Sequence, residues 1–244
     1  MSMTGQFAAL TLSGADAEKF LQGQVTVDVR DLSLEGQRVY TAICDLKGRV
    51  QFGLWLTRRA TDSFELICSA DQLEPLQAHL KKYGAFSRIS TSVPEPLHPL
   101  VLVDQLADFG REDTAQWQDW QLQMVQQGQA WITAQTAGLF QPQELRLHQR
   151  GGVDYDKGCY LGQEVVARLW FKAQPKQWLH RVQGQGPVPM AGDFMAEHVQ
   201  VVNAVSTADG FEALVIARPD ALSSAGLLVL PLPEGLNGSV GRLT

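Results

Sequence analysis

A short turn between two apolar runs constrains the fold of this chain more than any other feature. Residues 38–44 and 49–57 are rich in apolar, β-branched and aromatic side chains, and Asp45-Leu46-Lys47-Gly48 separates them. A glycine at the end of such a segment accepts the backbone angles of a tight reversal, so the pattern predicts a β-hairpin. Residues 7–12 and 63–69 are similarly apolar and predict two further strands.

Two helices are predicted beside these strands. Residues 13–16 offer N-cap side chains to a short helix with Ala17, Phe20 and Leu21 on one face, which ends at Gly23. Between residues 71 and 84, apolar side chains recur at spacings of three and four, as a helix requires: Leu73, Leu76, Leu80 and Tyr83. Strands alternating with single helices predict an α+β fold with split βαβ units, rather than a doubly wound sheet.

The remaining sequence shows two other residue patterns. Residues 116–129 are rich in glutamine with interleaved tryptophans, a pattern compatible with either a helix or a strand. After Gly184, the short apolar runs 200–205, 211–217 and 227–232 are cut by Gly, Pro, Asn and Asp, which is typical of a small barrel or sandwich. We therefore predict two domains, an α+β domain over 1–175 and a small β-barrel over 176–244.

Composition narrows the classes of function. The 244 residues carry a formal net charge of −6, which argues against broad binding to nucleic acid phosphates. No apolar run reaches the roughly 18 residues that a membrane span needs, and residues 1–12 resemble neither a secretion signal nor a transit peptide. We therefore expect a cytoplasmic protein with no membrane partner. The five histidines lack metal-ligand spacing, so none is assigned to a metal.

The three cysteines show no metal-site or disulfide spacing and are considered one by one. Cys44 and Cys68 lie inside strand-like runs and are predicted core residues. Cys159 lies in a glycine-rich segment, at the start of a stretch from Lys157 to Arg181 with five basic residues and one acidic residue. Lys157, Arg168 and the amides of a helix starting near Gly162 would favour its thiolate. The alternative is a packed thiol in a turn beside a solvated basic face.

The segment Lys157-Gly158-Cys159-Tyr160-Leu161-Gly162-Gln163-Glu164, with Arg168, matches a K-G-C-[FY]-x-G-Q-E-x-x-x-R signature. This signature resembles that of the YgfZ family, folate-binding proteins related to the T-protein (aminomethyltransferase) of the glycine cleavage system. Residues 14–28 and 44–49 also look like the N-terminal half of that family.

The resemblance implies a T-protein-like, folate-binding domain over 1–175, followed by the barrel over 176–244. It implies tetrahydrofolate or a derivative as cofactor, with Phe7 and Trp131 as the aromatic pocket residues and Cys159 as the family's cysteine. Aromatic rings suit a flat pterin, and its glutamate tail needs cations. Compared with the family pattern, this chain is shorter over residues 94–130, which indicates that part of the central region is missing. The segment before the signature, residues 141–150, is also shorter than in the family.

The implied function is support of iron–sulfur cluster assembly or repair and, indirectly, of tRNA modification, with iron–sulfur proteins or assembly factors as partners. The first alternative is a folate-dependent one-carbon transferase. We favour an accessory protein over an enzyme because the strand 49–53, where the T-protein carries a carboxylate, has no Asp or Glu. A weaker alternative is tRNA binding through the basic stretch with Trp170 and Trp178. Because the net charge is negative, we do not expect direct contact with tRNA.

Overall fold

The computed structural model describes residues 5–34, 36, 38–102, 108–236 and 240–241. Its N-terminal part is a seven-stranded antiparallel sheet. The strands are β1 (Phe7–Ser13), β2 (Val39–Cys44), β3 (Val50–Ala60), β4 (Ser63–Ser69), β5 (Ser90–Thr91), β6 (Glu95–Leu100) and β7 (Asp108–Gly110). Their order is β2-β3-β4-β1-β6-β7, and β5 pairs with β1.

The predicted hairpin is confirmed as β2 and β3. The Asp45 amide donates to the Arg49 carbonyl oxygen at 2.8 Å, and Gly48 adopts a φ of +69°. A positive φ is strained for residues with a Cβ, so glycine at this position favours the reversal. The local sequence therefore specifies the register of the two strands.

The two helices predicted beside the strands are confirmed as the first two α-helices of the chain. The α-helices are α1 (Ala17–Gln22), α2 (Leu73–Tyr83), α3 (Trp117–Gln126), α4 (Gln163–Phe171) and α5 (Pro219–Ser224), and short 3-10 segments occupy Val29–Asp31, Ala70–Gln72 and Leu147–Arg150. α2 connects β4 to β5. Both β4 and β5 pair antiparallel with β1, so β4 and β5 are parallel to each other and β1 lies between them. The glutamine-rich segment forms a helix, α3, because Trp120, Met124 and Val125 are buried along it. The mixed α+β class is confirmed.

The C-terminal part is a five-stranded antiparallel sheet. Its strands are β8 (Trp178–Gly184), β9 (Phe194–Ala196), β10 (Val199–Thr207), β11 (Gly210–Ala217) and β12 (Leu228–Leu230), in the order β12-β8-β11-β10-β9. Within the described residues no pairing joins β12 to β9, so we correct the predicted β-barrel to an open sheet. Closure requires the two edge strands to pair. Here each edge strand has only three residues, and three longer strands separate them.

Two apolar cores flank the N-terminal sheet. One lies under α1 and α2 and includes Leu10, Phe20, Leu54 and Leu76. The other is continuous across residue 175, because side chains of the first sheet and of the C-terminal sheet belong to one cluster, among them Phe7, Trp131, Leu179, Val202 and Ile216. The division into domains at 175/176 stays a prediction. None of the described helices is long and apolar enough to span a bilayer.

Candidate functional site

The signature segment is a loop that leads into α4 and is bound along its length to a distant part of the chain. The amides of Asp154 and Leu161 donate to the carbonyl oxygens of Thr26 and Gly23 at 2.9 and 3.2 Å. The buried Thr26 hydroxyl donates to the Gly152 carbonyl oxygen at 2.6 Å. Backbone groups removed from water need such partners. These bonds therefore hold the loop against residues 23–26.

Lys157 anchors the middle of this loop from the inside. Its side chain is almost fully buried, at 4% exposure, and Nζ donates to the carbonyl oxygens of Val25 and Val27 at 2.6 and 2.7 Å. Nζ also lies 5.0 Å from the centre of the Tyr160 ring, within cation–π range. Burial lowers the pKa of Lys157 to about 8, although the charges of Asp28 and Asp154 oppose that shift. The ammonium thus has a structural role in the fold of the loop.

Cys159 is the exposed thiol of the protein. It follows the exposed Gly158 on the outer side of the loop, whereas Cys44 and Cys68 are buried. Burial raises the pKa of the Cys68 thiol to about 12 and raises that of Cys44 further. Both buried thiols are therefore protonated at neutral pH, and their prediction as core residues is confirmed. Cys159 is accessible to a reagent or a partner, so it is the candidate reactive cysteine.

Gly162 controls how the loop enters α4. It adopts a φ of +80°, and a Cβ at this position would clash with the Asp45 carbonyl oxygen and lie 3.1 Å from Cys44 Cβ. The loop therefore packs directly on the turn between β2 and β3. α4 begins at the next residue, Gln163, whose amide donates to the Tyr160 carbonyl oxygen at 3.1 Å.

The charged signature residues of α4 lie at opposite ends of that helix. Glu164 is exposed in the first turn and Arg168 in the last. Each charge opposes the adjacent end of the helix dipole, which stabilises the helix. At 1.5 Å per residue, Arg168 lies about 9 Å along the axis from Gly162, at the end away from Cys159. Arg168 therefore has a helix-stabilising role that needs no contact with the thiol.

Phe7 and Trp131 meet in an aromatic cluster at the centre of the larger core. Trp120 connects them, with its ring centre 5.0 Å from that of Phe7 and 5.1 Å from that of Trp131. Trp55, Phe109 and Trp117 complete the cluster, which we call the tryptophan cluster. Phe7 and Trp131 are only 1% and 3% exposed. A ligand that reaches either ring must therefore displace a neighbour.

Comparison with known proteins gives the family of this chain. No protein-family model matches it. It is 30% identical over 239 residues to the tRNA-modifying protein YgfZ of Escherichia coli O127:H6, covering 77% of this chain and 73% of the relative. The chain belongs to the YgfZ family. The tRNA-modifying protein YgfZ of Colwellia psychrerythraea is 27% identical over 241 residues, covering 79% of this chain and 74% of that protein.

The fold of this YgfZ-family chain is also similar to that of a solved enzyme. The crystal structure of the glycine cleavage system aminomethyltransferase T from Bartonella henselae superposes with a TM-score of 0.66. The match covers 88% of this chain and 76% of the enzyme, at 15% sequence identity. At that identity the likeness concerns the fold, which agrees with the expected relation of YgfZ proteins to the T-protein.

The structure adds residues that the sequence of this YgfZ-family member did not single out. The hydroxyls of Thr26 and Thr41 lie 3.0 Å apart, and both donate to the carbonyl oxygen of Gly152. Carboxylate oxygens of Asp28, Asp31 and Asp154 lie within 4.8 Å of one another. Among the described residues, no histidine or cysteine belongs to this group. No local pattern marks these residues, because each set joins positions far apart in the sequence.

Proposed function

We propose that this chain is a tetrahydrofolate-binding accessory protein with a reactive Cys159. In this proposal it supports iron–sulfur cluster assembly or repair and, through cluster-dependent enzymes, tRNA modification. The observation that carries the proposal is the exposure of Cys159 on a loop in which Lys157 and Tyr160, on either side of Gly158-Cys159, are buried. Such a thiol is accessible to a partner but held in one place.

Cys159 lies four positions before the first residue of α4, Gln163. A single thiol supplies one ligand, whereas an iron–sulfur cluster takes four. We therefore propose that Cys159 acts on a cluster or sulfur atom that is held mainly by a partner, an iron–sulfur protein or an assembly factor.

Three features of the tryptophan cluster support a folate ligand. Its flat rings suit a pterin, which stacks on aromatic side chains. The indole N–H of the fully buried Trp120 has no acceptor among the described residues, and the ring nitrogens and oxygen of a pterin are acceptors. The Arg38 guanidinium lies 5.3 Å from the centre of the Phe109 ring and pairs with Asp108 Oδ1 at 2.8 Å, so the glutamate tail would bind it in exchange for that carboxylate. Entry of folate would require α3, which carries Trp117 and Trp120, to shift.

The test of Cys159 separates its chemistry from folding. Wild type, Cys159→Ser and Cys68→Ala are each expressed in cells that lack their own YgfZ homologue. Cys68→Ala is the control, because it removes a buried thiol and leaves the exposed one. We expect wild type and Cys68→Ala to restore the activity of cluster-dependent enzymes, and Cys159→Ser to fail while its thermal unfolding is unchanged. Full restoration by Cys159→Ser would refute the role of the thiol.

The test of the folate site is a calorimetric titration with tetrahydrofolate. We expect binding to wild type and to Cys159→Ser, and weaker binding to Trp131→Ala. Trp120→Phe keeps the aromatic ring but removes the indole N–H, and should weaken binding by about 1 kcal/mol if the ligand accepts that hydrogen bond. Equal binding by all four proteins would place the ligand outside the tryptophan cluster.

The similarity to aminomethyltransferase T supports one alternative, a folate-dependent one-carbon transferase. Against it, β3 starts Val50-Gln51-Phe52-Gly53 and offers no carboxylate for proton transfer. Turnover of methylene-tetrahydrofolate with an amine or thiol substrate by the purified protein would establish this alternative. Folate binding without turnover would exclude it.

A further inference from the structure

A groove of about 510 Å³ opens beside the signature loop. One wall is formed by the loop through Asp154 and Tyr155, another by Val27 and Asp31 from the segment after Thr26, and the third by Trp170 at the end of α4. Three separate segments thus shape one cavity, and none of its wall residues belongs to the tryptophan cluster. We call it the loop groove.

Aromatic rings form one side of the loop groove. The rings of Tyr155 and Trp170 stack in parallel, with centres 4.3 Å apart and planes 4° apart. Phe171, which is 48% exposed, also lines the groove, with its ring centre 6.2 Å from that of Tyr155. Flat rings offer the negative face of their π-systems to a cation.

Carboxylates also line the loop groove. Oxygens of Asp28, Asp31 and Asp154 lie within 4.8 Å of one another. The Arg30 guanidinium binds Asp28 and lowers the pKa of that carboxyl to about 2, so Asp28 is ionised at neutral pH. Asp154 Oδ1 accepts the amides of Asp156 and Lys157 at 2.8 and 3.2 Å. The Asp31 carboxylate accepts no hydrogen bond from any described residue and is available to a ligand.

This combination of rings and carboxylates selects against anionic ligands. Asp28, Asp31, Asp154 and Asp156 line the groove, and only the Arg30 guanidinium and the buried Lys157 ammonium offset their charges among these residues. The glutamate tail of folate and the phosphates of RNA are anionic, and the remaining negative charge repels them. A cation is attracted both by the carboxylates and by the rings. A guanidinium is flat, stacks on aromatic faces and pairs with carboxylates through two parallel hydrogen bonds, which an ammonium does not.

We propose that the loop groove docks an arginine side chain from a basic segment of a partner protein. The guanidinium lies against Trp170 and pairs with Asp31. Charge complementarity is the basis of this assignment, and it does not rest on the chemistry of Cys159. Asp156 of the groove is three residues before Cys159, so the chain places their Cα atoms no more than about 11 Å apart.

The proposal is tested by NMR titration of the full chain with a blocked peptide, acetyl-Gly-Arg-Gly-Arg-Gly-amide. Two peptides of the same length serve as controls, one with citrulline, which is neutral and nearly isosteric with arginine, and one with glutamate. We expect the arginine peptide to shift the indole signal of Trp170, with weaker binding at higher salt, and neither control to do so. Equal shifts with the citrulline peptide would overturn the proposal, as would no shift with the arginine peptide at millimolar concentration.

Matched variants locate the contact. Asp31→Asn should weaken binding of the arginine peptide by about three- to fivefold, as loss of a solvent-accessible ion pair predicts. Asp62→Asn makes the same charge change at an exposed residue outside the groove and should leave binding unchanged. Equal affinity of the two variants would overturn the proposal.

Two other occupants give distinct results. If Mg²⁺ alone shifted the indole signal of Trp170 and displaced the peptide, the groove would be a metal site instead. A single-stranded RNA oligomer that shifted Trp170, and bound Asp31→Asn more tightly than wild type, would show a nucleic acid site. Either result would replace the arginine assignment.

Discussion

The Lys157 ammonium donates to the carbonyl oxygen of Val25 at 2.6 Å, and this contact joins the signature loop to a segment far away in the sequence. A second bond runs from the same nitrogen to the carbonyl oxygen of Val27 at 2.7 Å. A basic residue expected beside a reactive thiol therefore also supports the loop that carries the thiol. This role has consequences for stability that are separate from the chemistry of Cys159.

Replacement of Lys157 by methionine should destabilise the protein. Lys157→Met keeps the length of the side chain but leaves two buried carbonyl oxygens without a donor, at about 1–3 kcal/mol for each unsatisfied group. Urea unfolding should show a loss of about 2–4 kcal/mol. Lys172→Met, at an exposed position after α4, should change stability by less than about 0.5 kcal/mol. A similar effect of both variants would contradict the structural role of Lys157.

The stability of the protein should depend on pH through Lys157. Its pKa is about 8 in the folded protein, against 10.5 for an ordinary lysine. Between these values the unfolded chain binds more protons than the folded one, so this residue makes folding more favourable as pH rises from 8 to 10.5. The slope is on the order of 1 kcal/mol per pH unit, and below pH 8 the contribution is constant. Urea titrations should show this rise for wild type and not for Lys157→Met; parallel curves would contradict it.

Gly162 and Gly158 form a matched pair for testing the packing of the loop on the hairpin. Gly162→Ala adds a Cβ that clashes with the Asp45 carbonyl oxygen and imposes a positive φ on alanine, whereas a Cβ at Gly158 has nothing within 4 Å. We expect Gly162→Ala to lower stability by about 1–3 kcal/mol in thermal or urea unfolding. Gly158→Ala should be nearly neutral. The opposite order would mean that the loop does not rest on the hairpin turn.

Thiol titration should distinguish the three cysteines. In the native protein, Ellman's reagent should modify one thiol per chain, because Cys159 is exposed and Cys44 and Cys68 are buried. In denaturant, three should react. Cys159→Ser should abolish the native reaction and leave two thiols in denaturant. Rapid modification of a second thiol in the native state would show that the core around Cys44 or Cys68 opens.

Local patterns determined much of this protein. Gly48 predicts the reversal between β2 and β3, the spacing of Leu73, Leu76 and Leu80 predicts α2, and Gly162 precedes α4 as expected. These features depend on backbone preferences and on a single buried face, which a few neighbouring residues specify. The family, too, was recognisable from the contiguous signature around Cys159.

Contacts between distant segments determined the rest. The open C-terminal sheet depends on which strands pair, and the short edges β9 and β12 leave it unclosed. The burial of Phe7 and Trp131 depends on where α3 packs Trp120, and the direction of the Lys157 ammonium depends on the carbonyl groups of residues 25 and 27. Composition and spacing specify the chemical type of each side chain. Its partners are set by the long-range packing of the chain, which removes some groups from water and leaves others, such as Cys159 and Asp31, exposed.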